Sequence, residues 1–141
     1  MRKLLLSLFL LAGILFSITL FAEETVWLKD INTAFELAQK EQKTVMVLVE
    51  GENCRWCKKM KHRTLGDENV QKKLKSYITI KVMRENEDDV KDLPIIHGVP
   101  SIFFMTAEKE VIESVVGYFN VEDFLSYISD VEKKKLKAKS F

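Results

Sequence analysis

Cysteine and histidine are both scarce: two of each occur in the 141 residues, and that scarcity removes several chemistries at once. Two thiolates and one imidazole leave a closed structural zinc site short of its fourth ligand. Lys58 stands where a c-type haem attachment motif requires histidine. No cysteine follows the apolar N-terminal run, which excludes a lipoprotein anchor on a new N-terminal cysteine. A surplus of one charge is lacking too. With 22 basic against 21 acidic residues the net charge is +1, and a general nucleic-acid binder needs a basic surplus. No internal repeat or low-complexity segment interrupts the chain, so its length implies one compact domain.

The beginning of the chain reads as a targeting segment. Met1-Arg2-Lys3 is a short basic start, Leu4 to Phe21 is almost wholly apolar, and Ala22 precedes the polar Glu23-Glu24-Thr25. That pattern predicts a secretory signal peptide over residues 1–22, cleaved after Ala22. Leu20 is large for the position two before a cleavage-site alanine, and the run is of borderline length for a membrane span, so an uncleaved anchor is the alternative. Removing residues 1–22 leaves 119, the expected domain 23–141, with 20 basic against 21 acidic residues once Arg2 and Lys3 are gone.

Both cysteines fall in the most organised stretch. Val45-Met46-Val47-Leu48-Val49 is a run of five apolar residues, three of them Val, which predicts a strand buried on both faces as in a parallel sheet. Gly51 to Asn53 predicts a turn, and a helix follows. Cys54 and Cys57 are three apart in its first turn and share about one face, a spacing that permits a disulfide. A thiol at a helix N-terminus sits among unpaired N–H groups and the positive end of the macrodipole, both of which favour thiolate. Such thiols fall from a reference near 8.5 to between about 3.5 and 7.5. Arg55, Lys58, Lys59, Lys61 and Arg63 push the same way, with no acid among them after Glu52. Cys54, nearest the turn, is the candidate nucleophile, and Cys57 the resolving thiol. On the tetrapeptide alone, a metal half-site and a structural disulfide remain open. A bridge closing only four residues restrains the unfolded chain little, which favours redox chemistry over stapling.

The remaining elements follow from periodicity and punctuation. Val26-Trp27-Leu28 predicts a short first strand. Asp30 predicts an N-cap for a helix carrying Ile31, Ala34, Phe35 and Ala38 on one stripe. Gly66 is placed at the C-cap of the cysteine helix, and Asp67 at the cap of a short helix through Leu74. Ile78, Ile80 and Val82 alternate as a strand. Arg84 to Asp92 is a charged connection with a short helix closing at Leu93-Pro94. Pro100 heads the apolar run Ile102 to Met105, because proline cannot donate to a central ladder. Val111 to Val116 completes an antiparallel hairpin, Gly117 ends it, and Asn120 caps a last helix with Val121, Phe124, Leu125, Ile128 and Val131 on one face. The lysines from Lys133 to Lys139 read as a solvated, frayed tail.

With the CxxC heading the second helix and Gly98-Val99-Pro100-Ser101 before the fourth strand, the chain resembles the thioredoxin superfamily over essentially its whole mature length. It looks most like small exported thioredoxin-like proteins of the SoxW type, which share an acidic residue shortly before the CxxC, here Glu50, and the helix after Gly66. The resemblance implies an α/β thioredoxin-like fold with a central mixed sheet of about five strands flanked by helices. It implies that Cys54 attacks and Cys57 resolves, that the Val99 backbone pairs with the substrate segment, and that a cis Pro100 shapes the groove. Gly117 matches the family's glycine after the last strand. The family's buried acid six residues before the first cysteine is replaced here by Leu48, so Glu50, on the same side of the strand, is the substitute for proton transfer. Arg55 and Trp56 stand where other central pairs are commoner. Arg55 is expected to stabilise the thiolate and make the protein more oxidising than a cytosolic thioredoxin, whose potential is near −270 mV. Trp56 contacts substrate or covers apolar surface at the rim.

The expected function is therefore a periplasmic thiol–disulfide oxidoreductase acting on cysteine-containing protein substrates with a redox partner protein. It needs no cofactor, binds no nucleic acid, and touches the membrane only if the N-terminal segment is kept. Two alternatives stand beside it: a Cu(I)-binding or metal-delivery module using Cys54, Cys57 and His97, and a binding domain with an idle CxxC. His97 otherwise reads as a surface loop residue.

Overall fold

A computed structural model describes residues 24–138; the expected signal segment and its cleavage point lie outside them. Along the chain run β1 (Trp27–Leu28), α1 (Ile31–Glu41), β2 (Thr44–Glu50), α2 (Arg55–Lys59, prolonged by a π-helical turn Met60–Thr64) and α3 (Glu68–Leu74). Then come β3 (Tyr77–Met83), the single turn α4 (Glu87–Val90), β4 (Ser101–Met105), β5 (Val111–Val116) and α5 (Val121–Ala138).

The five strands form one sheet in the order β1-β3-β2-β4-β5. β1, β3 and β2 are parallel, whereas β4 and β5 are antiparallel additions. β2 is central, and all seven of its residues are buried, as expected for an apolar run with helices on both sides. Val45, Val47 and Val49 pack against Ile31, Ala34, Phe35 and Ala38 of α1. Met46 and Leu48 face the other way, against Met60, Leu65, Leu74, Phe124 and Ile128 from α2, α3 and α5. Each fully buried Val or Leu contributes about 1.5–3 kcal/mol.

Three helices start where polar caps were expected. Asp30 accepts from the Thr33 N–H at 2.7 Å, Asp67 from Asn69 and Val70 at 2.9 and 3.2 Å, and Asn120 from Asp123 at 2.9 Å. Each is worth about 1 kcal/mol. Two expectations need correction. Leu65, in right-handed conformation, caps α2, and Gly66 follows it. Gly66 is required by close approach instead, since a Cβ there would sit 3.0 Å from the His62 carbonyl oxygen. The lysine-rich end is no frayed tail up to Ala138: it is helical, Lys133 pairs with Asp130, Lys134 with Glu113, and Lys135 lies over the Tyr77 ring.

Tyr77 makes the lower core pH-sensitive. Among the described residues its buried hydroxyl has no hydrogen-bond partner, and burial, with Glu132 adding to it, pushes the phenol up to about 12. In the unfolded chain it ionises near 10, so its contribution to stability is full below about pH 10 and is lost as pH rises from there toward 12. Tyr77→Phe is expected to flatten that alkaline loss by roughly 1–2 kcal/mol without destabilising the protein at neutral pH. Urea midpoints of both proteins at pH 7 and pH 11 check it.

Candidate active site

The sheet's register assembles the site at the C-terminal end of β2. Because β4 runs antiparallel to β2 with Ser101 opposite Val49, Pro100 arrives beside the residues that lead into the cysteine loop. The Val99–Pro100 bond is cis. The Ser101 hydroxyl donates to the Gly98 carbonyl at 2.6 Å, and the Gly117 N–H donates to the Pro100 carbonyl at 2.8 Å. Gly117 has φ +106°, a region that side chains disfavour. It thereby turns the chain so that Tyr118 reaches the same edge. Gly51 closes the gap from the other side: a Cβ on it would lie 3.0 Å from Val99 Cγ2.

Cys54 is the N-cap of α2. Its backbone is extended, at φ −74° and ψ 100°, and its Sγ accepts a hydrogen bond from the Cys57 N–H at 3.0 Å. The preceding Asn53 takes a left-handed φ of 55°, which asparagine tolerates. Cys54 and Cys57 are joined by a disulfide, with Cα atoms 5.2 Å apart, inside the usual range. The two sulfurs differ in access: Cys57 is only 2% exposed, whereas Cys54 is half-buried. Once the bond is reduced, the N–H donor and the helix terminus both favour a negative charge on the Cys54 sulfur.

Trp56, 47% exposed, lies beside this pair. Its ring centroid is 5.9 Å from that of Tyr118. Lys59 Nζ is 4.9 Å from the Trp56 centroid and 4.2 Å from that of Tyr118, and the Arg55 guanidinium is 5.5 Å from Trp56. Such cation–π contacts are worth about 0.5–1 kcal/mol at exposed sites. Trp56 therefore belongs to an ordered aromatic and cationic rim.

β2 continues through Glu50, which is buried and on the Leu48 side of the sheet. Its carboxylate meets Lys61 Nζ at 2.6 Å. Lys61 follows Cys57 by four residues, at the π-helical turn, so the ion pair sits about one helical turn below the inner cysteine. Lys61 and Tyr118 are the neighbours that sequence reasoning missed. Four-residue spacing from Cys57 and adjacency to Gly117 were the available signals. His97 is exposed, and among the described residues no three His, Cys, Asp or Glu side chains gather into a set suited to a metal ion.

A family described as thioredoxin-like matches residues 26–107, more than half of the chain. The chain belongs to the thioredoxin-like family. No curated protein sequence matches it, but solved structures share its fold. A thioredoxin from Thermus thermophilus superposes with a TM-score of 0.64 at 20% identity, covering 77% of this chain and 88% of that one. A DsbH oxidoreductase gives 0.63 at 17% identity, covering 86% and 91%. The oxidised C-terminal domain of DsbD from Neisseria meningitidis gives 0.60 at 19% identity, covering 74% and 98%. This thioredoxin-like chain thus combines the family fold with a CxxC pair that closes as a disulfide.

Proposed function

We propose that the protein is an exported, periplasmic thiol–disulfide oxidoreductase of the small SoxW type, acting on cysteines of other proteins. The observation that carries this reading is the asymmetry of the pair: Cys54 is half-buried and its sulfur holds an N–H donor, while Cys57 is buried. Export rests on the apolar segment before Ala22.

In the reducing direction, the Cys54 thiolate attacks one sulfur of a substrate disulfide. A Cys54–substrate bond forms, and the second substrate sulfur leaves as a thiolate. Cys57 loses its proton and attacks Cys54 Sγ, closing the internal disulfide and releasing the first substrate sulfur as a thiolate. Two electrons pass to the substrate, and a partner dithiol must return them; oxidation of substrates runs the same steps backward. Glu50, held by Lys61, receives the Cys57 proton. Val99 and the cis Pro100 line the groove for the substrate segment, and Arg55 and Trp56 form its rim. Arg55 raises the potential above that of a cytosolic thioredoxin by stabilising the reduced form.

Insulin reduction by dithiothreitol tests the activity. The protein is expected to accelerate it catalytically; a rate equal to that of dithiothreitol alone overturns the reading. In the same assay, Glu50→Gln is expected to slow turnover by hindering the Cys57 step, and an unchanged rate removes Glu50 from proton transfer. Equilibration with glutathione should place the potential above about −270 mV.

A further inference from the structure

The rim of the site is charged on one side. Arg55, Lys58 and Lys59 stand on the first turns of α2, and none of them forms an ion pair among the described residues. Elsewhere the cations divide: Lys43, Lys73, Lys91, Lys109, Lys133 and Lys134 each meet a carboxylate, whereas Lys29, Lys40, Arg63, Lys72, Lys75 and Lys81, like the rim cations, form no ion pair among the described residues. Lys59 is held by the faces of Trp56 and Tyr118 instead. Aromatic faces orient an ammonium without cancelling its charge, so its field stays directed at whatever approaches Trp56. Just after β3, Glu85 accepts from the Glu52 N–H and pairs with Arg84, so its charge is met there, whereas Tyr118 follows the edge strand β5.

We infer that this α2 rim selects protein segments carrying carboxylates beside their reactive cysteine. A carboxylate next to the cysteine meets Arg55, Lys58 or Lys59 while the segment's backbone crosses the half-exposed Trp56. The inference rests on the redox reading above and adds the chemical class of the partner to it. Three cations on the first turns of the helix that Cys54 caps steer an anionic segment toward it, and salt weakens the effect.

The test uses the reduced protein and three peptide disulfides, each a dimer of one single-cysteine peptide flanked by Glu, Ser or Lys. The protein's dithiol passes two electrons to each dimer, releasing two peptide thiols and closing Cys54–Cys57, and tryptophan fluorescence follows the rate. Rates with dithiothreitol as the attacking thiol correct for the intrinsic reactivity of each peptide. At low ionic strength, the Glu peptide is expected to react about tenfold faster than the Lys peptide. The ratio should shrink toward one in high salt, and Arg55→Gln combined with Lys58→Gln should shrink it at low salt. Equal corrected rates, or a preference for the Lys peptide, overturn the acidic-partner inference and leave the oxidoreductase standing. Failure to react with any peptide overturns both. Cosedimentation with phosphatidylserine vesicles without any peptide preference assigns the cations to a membrane surface, which also overturns the inference.

Discussion

Cys54→Ser is expected to bring insulin reduction down to the rate of dithiothreitol alone, whereas Cys57→Ser is expected to stall the protein as a covalent mixed disulfide with its substrate. The difference follows from geometry. Cys54 is the less buried cysteine, at the head of α2 with an N–H aimed at its sulfur, so its loss is expected to remove the first bond-forming step. Cys57 is buried and bonded to Cys54. Without it the first step proceeds and the release step does not. Mass spectrometry of the protein after exposure to a peptide disulfide distinguishes the two variants: an adduct on Cys54 in Cys57→Ser, and none in Cys54→Ser. Residual catalysis by Cys54→Ser, or an adduct that forms first on Cys57, reverses the assignment of roles.

The largest effect on stability is expected from Phe104→Ala. Phe104 is completely buried on β4, opposite Met46 of the central strand. It meets Tyr77 edge-on at 5.5 Å and Tyr127 at 6.0 Å between ring centroids. Truncation removes both aromatic contacts and leaves a cavity between the sheet and α5, which costs about 3–5 kcal/mol. For a domain of this size that lowers Tm by roughly 10–20 °C. Since total stability is typically about 5–15 kcal/mol, the variant is expected to lose much of its margin. Thermal and urea unfolding check it, and a loss under about 1 kcal/mol would mean that the site collapses around the smaller side chain. The alkaline effect of Tyr77→Phe arises in the same cluster and is expected to be smaller.

Much of this structure was legible wherever a local rule and a tertiary need coincide. The run Val45 to Val49 is apolar at every position because helices cover both faces of β2, and that pattern is visible without coordinates. Asp30, Asp67 and Asn120 cap helices through atoms two or three residues away, so sequence carries the whole interaction. Cys54 at the head of a helix is legible for the same reason. What escaped depends on distance along the chain. Lys61 reads as one of five cations favouring the thiolate until β2 and α2 bring Glu50 to it and pair its charge. Tyr118 reads as a loop aromatic until the Gly117–Pro100 hydrogen bond draws the end of β5 toward Trp56. The π-helical turn at Met60–Thr64 has no signature in residue type. At Gly66 a glycine was legible as necessary, but the reason differed: its backbone is crowded by the His62 carbonyl. The lysines after Val131 looked unpartnered because Glu113 and Tyr77 lie on strands far from them in sequence.

The missing side chain at Gly51 has a consequence for entry to the sulfur. Two loops remote along the polypeptide rest on each other there, one ahead of Cys54 and one ahead of Pro100. The fit between them is set by the Val99 Cγ2 methyl against the bare main chain of Gly51. A single methyl group at that point would press on Val99, and the two loops would take it up only as far as that side chain can give.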